Sequence, residues 1–133
     1  MTNKRYLAAF DVGGTKTDAV LFTEDGHIVS RIKAAGGIPL DMGLEPAAKN
    51  YISILAELFE YAEDGEVAAL YGSVATTEYF DNGAALPAII GEHIKPLKMR
   101  IEGDGPCLIS GMLGHADGAS MICGTGSSLY FRK

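Results

Sequence analysis

The chain has few cysteines and few basic residues, and each shortage excludes a class of protein. Its 133 residues include 2 cysteines, and 11 lysines and arginines stand against 17 acidic residues, for a formal net charge of -6. Cys107 and Cys123 have no CxxC spacing and are too few for a disulfide scaffold, so buried free thiols are expected. The basic residues form no cluster that could bind a phosphate backbone, which argues against nucleic-acid binding.

Long apolar runs are also missing, although the chain is apolar enough to fold. No stretch approaches the roughly 20 apolar residues that span a bilayer, and no signal peptide is recognisable. We therefore expect a cytoplasmic protein without membrane contact. An apolar fraction of 47% is typical of a globular domain. The length fits one domain, so a two-domain enzyme is excluded unless the chain is part of a longer protein.

The apolar pattern predicts a mixed α/β fold. Apolar runs at 6–11, 17–22 and 27–34 are joined by connections too short for a crossover helix, which predicts an antiparallel meander. From Leu44 to Ala62 apolar residues recur at helical spacing. Strands and helices then alternate: strand 67–71, helix 84–94, strand 98–102, helix 107–113 and a hairpin at 119–132. We predict a ribonuclease-H-like five-stranded sheet, three antiparallel strands followed by parallel ones, flanked by helices.

A glycine-rich turn follows the first predicted strand. It reads Asp11-Val12-Gly13-Gly14-Thr15-Lys16-Thr17. Paired glycines let backbone amides turn toward one anion, and the hydroxyls and the lysine add further donors. The alternative is a glycine hairpin with polar side chains. Because Asp11 stands at the strand end, where a carboxylate can hold Mg²⁺ beside bound phosphates, we favour phosphate binding.

A second turn of similar composition lies in the closing hairpin. It reads Gly124-Thr125-Gly126-Ser127. Alone it would be an ordinary hairpin turn. Two such turns in one chain could hold a polyphosphate between them, each supplying amide donors.

Together the two turns resemble the phosphate loops of the sugar kinase, heat-shock ATPase and actin superfamily. More narrowly, 11–17 and 123–127 are similar to the BadF/BadG/BcrA/BcrD ATPase family, which includes N-acetylglucosamine kinases. The resemblance implies ATP and Mg²⁺ as cofactors, with the metal at Asp11. It covers that family's N-terminal domain, here 1–118, and the first hairpin of a truncated second domain, here 119–133.

The resemblance also implies a catalytic base and an acceptor pocket. In the family a carboxylate at a strand end takes the proton of the acceptor hydroxyl, and by order and distance from the second phosphate loop this residue is Asp104. A carboxylate between a strand end and a helix faces the crevice where such sheets bind ligands. Aspartate also commonly caps helices, and the residues alone leave both interpretations open. Asp41, Gly72 and Ser73 are the candidate acceptor contacts.

These features predict the N-terminal half of an ATP-dependent sugar or amino-sugar kinase that binds a nucleotide and a sugar. The loop 36–41 offers no Asn to hold a sugar hydroxyl, which argues against N-acetylglucosamine itself. One alternative is a BadF-type ATPase that couples hydrolysis to activation of a partner enzyme, and another is a non-catalytic truncated domain. The chain alone should have little activity, since the superfamily holds adenosine mainly through its second domain. Unpaired apolar edges in the hairpin predict a homodimer.

Overall fold

The computed structural model describes residues 3–79, 82–124 and 126–133. Its strands are β1 (Lys4–Val12), β2 (Lys16–Thr23), β3 (Ile28–Ala35), β4 (Gly65–Val74), β5 (Lys98–Glu102), β6 (Gly118–Cys123) and β7 (Ser127–Arg132). Its helices are α1 (Pro39–Met42), α2 (Leu44–Phe59), α3 (Asn82–Gly91) and α4 (Asp104–Leu113), with a 3-10 turn at Thr77–Tyr79.

Strands β1 to β5 form one mixed sheet, as predicted. Within the described residues the strand order is β3-β2-β1-β4-β5. The first three strands pair antiparallel, whereas β4 and β5 run parallel to β1. The register places Asp11 beside Ser73 and Ser73 beside Glu102. Because parallel strands end at the same edge of a sheet, the carboxyl ends of β1, β4 and β5 lie together.

The core lies between the sheet and helices α2 and α3. Alternate residues of β1, from Tyr6 to Val12, are buried, in keeping with the period of two of a strand. The apolar stripe of α2, which includes Tyr51 and Leu55, packs on this face together with Leu86 of α3. The opposite face of β1 carries Ala9 and Asp11. One face of the sheet therefore stabilises the domain, and the other is left for a site.

The helices differ from the prediction at their ends. Helix α3 ends at Gly91, three residues early, because glycine favours helix termini and the chain turns there with the His93 N–H bonded to the Ile90 carbonyl. The short helix α1, which begins at Pro39, was not predicted. None of the helices in the described part of the chain has both the length and the apolar character to cross a membrane.

The closing hairpin is a separate two-stranded sheet. Among the described residues β6 and β7 pair only with each other, and helix α4 packs against both. The expected burial of both thiols is wrong for Cys123, which is exposed at the end of β6, while Cys107 is half-buried on α4. The difference arises because β6 belongs to this hairpin and not to the buried sheet. The division into domains 1–118 and 119–133 stays a prediction.

Candidate functional site

Three polar side chains meet where β1, β4 and β5 end. The Ser73 hydroxyl donates a hydrogen bond of 2.7 Å to Oδ1 of Asp104, which stands at the start of α4. Asp11 lies beside Ser73 in the neighbouring strand. The N-cap position of α4 is Gly103, and among the described residues no side chain caps this helix. The helix-capping interpretation of Asp104 is therefore wrong, and its carboxylate is held toward the strand ends.

Burial and the charges of neighbouring carboxylates set the electrostatics of this cluster. Desolvation and then the negative charge of Asp104 raise the pKa of Asp11, and Lys16 and Ser73 oppose this rise. Perturbed carboxylates at a strand edge are typical of functional sites, although ion-pair networks also produce them. A cation or a proton shared near Asp11 would relieve the repulsion.

The first glycine turn is short and well supported. The Gly13 N–H donates to the Lys16 carbonyl at 2.9 Å, which closes the turn, and Gly14, Thr15 and Lys16 are exposed. Thr17 is different, because its side chain is buried and its hydroxyl donates to the Ala35 carbonyl at 3.0 Å. Its place in the alternation of β2, in register with buried Ala19 and Leu21, is the sequence signal for this inward orientation.

The loop after β3 lies directly against this turn. The Gly37 N–H donates to the Gly13 carbonyl at 3.1 Å. A β-carbon at Gly36 would stand 2.5 Å from that same carbonyl oxygen, so only glycine fits there. Asp41 of α1 is exposed, and its Oδ2 would be 3.9 Å from a β-carbon at Gly14. The structure thus brings Asp41 beside the first glycine turn.

Gly72 and Ser73, two candidate acceptor contacts, have other visible tasks. A β-carbon at Gly72 would lie 2.6 Å from Cε1 and Cζ of Phe10, so this glycine makes room for a core ring. Ser73 is 4% exposed, and its hydroxyl donates a hydrogen bond to Asp104. Neither arrangement could be read from the sequence, because both depend on which strands are neighbours.

One residue of the second glycine turn, Ser127, lies near the start of helix α4. Gly124, Gly126 and Ser127 are exposed, and Thr125 lies outside the described residues. A cavity of about 420 Å³ is lined by Ser127 together with Gly103 and other residues of the α4 start. Ser127 is therefore the residue of the second glycine turn that the structure places next to the start of α4.

A groove that the sequence analysis missed opens on the face of the sheet that carries Asp11. Its volume is about 300 Å³, and its lining includes Asp18, Arg31, Tyr71 and Cys107. These residues come from β2, β3, β4 and α4. The alternation of side chains along a strand is the sequence signal that could have identified Asp18, Arg31 and Tyr71, because each lies on the face of its strand opposite to the core.

Several polar groups of the groove are held by hydrogen bonds. Arg31 Nε donates to Asp18 Oδ1 at 2.8 Å, and this bond lowers the pKa of Asp18. The Tyr71 hydroxyl donates to Glu102 Oε2 at 2.5 Å, and burial followed by this bond raises the pKa of the tyrosine. Burial also raises the pKa of the Cys107 thiol. The described residues contain no group of three or more potential metal ligands, so a divalent ion here would need oxygen atoms of a bound ligand as well.

Comparison with known proteins adds a fold relationship. No known family profile matches the sequence, and no curated protein matches it. Among solved structures, a provisionally named N-acetylglucosamine kinase from Chromobacterium violaceum aligns with 96% of this chain and 45% of its own, at 20% identity and a TM-score of 0.72. A similarly named protein from Porphyromonas gingivalis aligns with 94% of this chain and 44% of its own, at 20% identity and a TM-score of 0.70. A ROK family glucokinase from Streptomyces griseus, solved with glucose and AMPPNP, aligns with 95% of this chain and 44% of its own, at 21% identity and a TM-score of 0.64.

The chain shares the fold of these sugar kinases. It spans less than half the length of each of them. The predicted architecture is confirmed at this level, since the five-stranded mixed sheet and the hairpin are both present and the alignment with the Chromobacterium violaceum protein covers 96% of the chain. The narrower BadF/BadG assignment is not decided by these structures.

Proposed function

We propose that this chain is the N-terminal half of an ATP-dependent kinase that phosphorylates a sugar or an amino sugar. The observation that carries the proposal is the cluster of Asp11, Ser73 and Asp104 at the strand ends, with the first glycine turn directly after the strand that carries Asp11. The fold shared with sugar kinases supports the same reaction class. Function resides in sites and not in folds, so the cluster is the stronger argument.

Asp104 is the proposed catalytic base. Its carboxylate accepts the proton of the acceptor hydroxyl while that oxygen bonds to the γ-phosphorus of ATP, and the bond to the β–γ bridging oxygen breaks to release ADP. The hydrogen bond from Ser73 fixes one carboxylate oxygen and leaves the other for the acceptor. Positioning of this kind supplies most of the catalysis in phosphoryl transfer.

The two glycine turns are the proposed phosphate contacts. Gly14, Thr15 and Lys16 are exposed and offer amide, hydroxyl and ammonium donors to one end of a polyphosphate, and the Gly13 N–H closes the turn that presents them. The Thr17 hydroxyl donates to the Ala35 carbonyl and so joins the end of the turn to the neighbouring strand β3. On the hairpin side, the proposed contacts are Gly124, Thr125, Gly126 and Ser127.

Mg²⁺ fits the charge pattern around Asp11. Burial and then the negative charge of Asp104 raise the pKa of Asp11, and carboxylate oxygen is the ligand type that Mg²⁺ prefers. Asp11 would hold the ion together with phosphate oxygens, and when bound the ion neutralises charge on the transferring phosphate. Lys16 lies near enough to lower the pKa of Asp11 and would face the same phosphates.

The acceptor and the narrower family are part of the proposal. Asp41 lies beside Gly14, where its exposed carboxylate can accept hydrogen bonds from a sugar hydroxyl. The Gly-Thr-Gly-Ser form of the second turn supports the BadF/BadG side of the superfamily. A BadF-type ATPase that acts on a partner enzyme uses the same nucleotide site, so only the acceptor separates the two functions.

The proposal is tested first on the chain itself. We expect Mg-ATP to shift the amide resonances of Gly13, Gly14, Lys16 and Ser127 in a nitrogen-15 NMR titration. Shifts confined to other regions, or no shifts at millimolar Mg-ATP, would contradict nucleotide binding at this site. Asp104→Asn should retain the shifts, because the base does not hold the nucleotide.

Acceptor dependence is the second part of the test. In a protein that joins this chain to a second half like that of its structural neighbours, a panel of hexoses and amino sugars should stimulate ADP release. Asp104→Asn should lower the stimulated rate roughly 10²-fold or more. Asp117→Asn, in an exposed turn, is the matched control. ADP release that no sugar stimulates would favour the partner-activating ATPase.

A further inference from the structure

We propose that Tyr51 is a positioning residue for the first glycine turn, acting through the backbone of Gly37. The inference deepens the proposed function and rests on it where nucleotide binding is concerned. Tyr51 is on helix α2 and does not line the described cavities that contain Asp11 or Ser127. It therefore acts through other residues, without contact to a ligand.

The link begins with a buried hydroxyl. Tyr51 is 2% exposed, and its hydroxyl donates to the Gly37 carbonyl at 2.6 Å. Burial raises the pKa of this phenol, so it keeps the proton that it donates. Its only described aromatic neighbour at ring-packing distance is Phe10, with the centroids 5.9 Å apart. A phenylalanine would fill the same ring position, so the hydroxyl has a task besides packing.

The link continues from Gly37 into the turn. The Gly37 N–H donates to the Gly13 carbonyl at 3.1 Å, so the peptide units on either side of one residue connect the helix to the turn. Gly36 also packs closely against the backbone of the first glycine turn. Its missing β-carbon would lie 2.5 Å from the Gly13 carbonyl oxygen and from the Lys16 nitrogen, and 2.6 Å from the Thr15 carbonyl carbon.

The turn is thus held from beneath by a rigid helix. The turn atoms next to Gly36 and Gly37 are backbone atoms of Gly13, Thr15 and Lys16, which are proposed to face phosphate. The directions of the N–H groups in the turn depend on the position of its backbone. A phosphate cradle works when its amides are oriented before the ligand arrives. Removing the Tyr51 hydroxyl frees the 36–37 segment and with it the amides of Gly13 and Lys16.

The chain contains a matched control for this hydroxyl. Tyr6 is also buried in the core, and its hydroxyl also donates to a backbone carbonyl, that of Glu63, at 3.2 Å. Glu63 lies 26 positions beyond Gly37, after the end of α2, and has no part in the turn. Tyr51→Phe and Tyr6→Phe therefore make the same chemical change in one core, and only the first releases the turn.

The experiment compares both variants with the unaltered chain by amide hydrogen exchange and by Mg-ATP titration. Tyr51→Phe should speed exchange of the Gly13 and Gly37 amides about three- to tenfold relative to core amides of β1, as the loss of one hydrogen bond implies. Tyr6→Phe should leave those two amides unchanged. Mg-ATP affinity should fall by a similar factor in Tyr51→Phe alone. Thermal melting of both variants measures the general loss of stability.

The outcomes separate this inference from the proposed function. Equal exchange at Gly13 and Gly37 in Tyr51→Phe and the unaltered chain would overturn the positioning role. A rise of the same size in Tyr6→Phe would do so too, since it would reflect global opening. Unchanged Mg-ATP affinity in Tyr51→Phe would overturn the link to binding. If the unaltered chain fails to bind Mg-ATP, the proposed function is contradicted, and the exchange data still decide whether Tyr51 orders the turn.

Discussion

The Ser73 hydroxyl donates to Asp104 Oδ1 at 2.7 Å and so joins the end of strand β4 to the first residue of helix α4. Ser73 is buried, and a hydroxyl has one proton to give. That proton forms the hydrogen bond to the carboxylate of Asp104, and the bond restricts rotation of this side chain at the helix start. The bond therefore sets the direction in which Asp104 presents its second oxygen.

Ser73→Ala removes this bond and should lower the free energy of unfolding by about 1–3 kcal/mol, because the hydrogen bond has a charged acceptor. Urea denaturation at pH 7 measures this loss. Ser53→Ala, at an exposed position of α2, is the control and should change stability by less than about 0.5 kcal/mol. Equal effects of the two substitutions would show that the bond to Asp104 contributes nothing.

Asp11 should reduce the stability of the chain at neutral pH. Its pKa is raised in the folded state, so as pH rises the unfolded state loses this proton first and the folded state is destabilised. Asp11→Asn should therefore stabilise the chain at pH 7, by up to about 1 kcal/mol for partly exposed charges. The gain should vanish below the ordinary aspartate pKa of about 4, where both states are protonated.

Thermal melts of Asp11→Asn and the unaltered chain between pH 3 and pH 8 measure this difference. Asp117→Asn, in an exposed turn, should show no comparable trend. A variant that is less stable than the unaltered chain at pH 7 would mean that Lys16 and Ser73 outweigh the desolvation of Asp11 and its repulsion from Asp104.

Much of the fold could be predicted from the sequence, because local signals agree with the global arrangement. Short connections required the first three strands to be antiparallel, and helical spacing identified α2. The positions of Asp11 near the end of β1 and of Asp104 just after β5 were predictable, whereas their roles in a site stay predictions. The bond from Ser73 was not predictable, because it depends on the parallel register of β4 with its neighbours and on a rotamer.

Thr17 and Gly72 show that a binding motif alone does not reveal which of its residues are free to bind. Thr17 belongs to a polar glycine-rich motif, yet its position in the alternation of β2 turns it into the core. Gly72 precedes a serine at a strand end, yet the ring of Phe10 in the adjacent strand explains why it is glycine. Motif composition describes what a segment could bind, and strand pairing decides which side chains remain free to do so.

Gly72→Ala should destabilise the chain, because a β-carbon would lie 2.6 Å from the Phe10 ring and 3.2 Å from Cγ1 of Ile101. Overpacking of this kind costs about 1–3 kcal/mol. The control is Gly111→Ala in α4, where no described atom lies within 4 Å and alanine favours the helix by roughly 0.5–1 kcal/mol. Urea midpoints should therefore move in opposite directions, and a stable Gly72→Ala would show that the ring can shift aside.

The two thiols should differ in reactivity. Cys123 is exposed, whereas Cys107 is half-buried and burial raises its pKa, which lowers its thiolate fraction at neutral pH. With a disulfide reagent at pH 7, Cys107→Ser should therefore react through Cys123 at least about tenfold faster than Cys123→Ser reacts through Cys107. The slow reaction should accelerate further as pH rises above the ordinary thiol pKa of about 8.5. A faster Cys107 would contradict the described burial.

The closing hairpin should bring two copies of the chain together. Met121 and Leu129 are directly paired across the hairpin, and with Phe131 they form an exposed apolar surface, 66%, 53% and 70% accessible. Tyr130 alternates to the other face, where its ring lies against Gly105 of α4. An apolar patch beside unpaired strand edges favours association with an equivalent hairpin, which would bury both patches at once.

Phe131→Asp places a charge at the centre of that contact and should convert the dimer to a monomer in sedimentation velocity at micromolar concentrations. Tyr61→Asp makes the same change at an aromatic residue that is 50% exposed just beyond α2 and should leave the dimer intact. A monomeric unaltered chain, or a Phe131→Asp variant that still dimerises, would exclude the hairpin as the interface. Since Phe131 lies on the face of β7 opposite to Tyr130, which packs against Gly105 of α4, the substitution should leave the Ser73 to Asp104 bond and its contribution to stability unchanged.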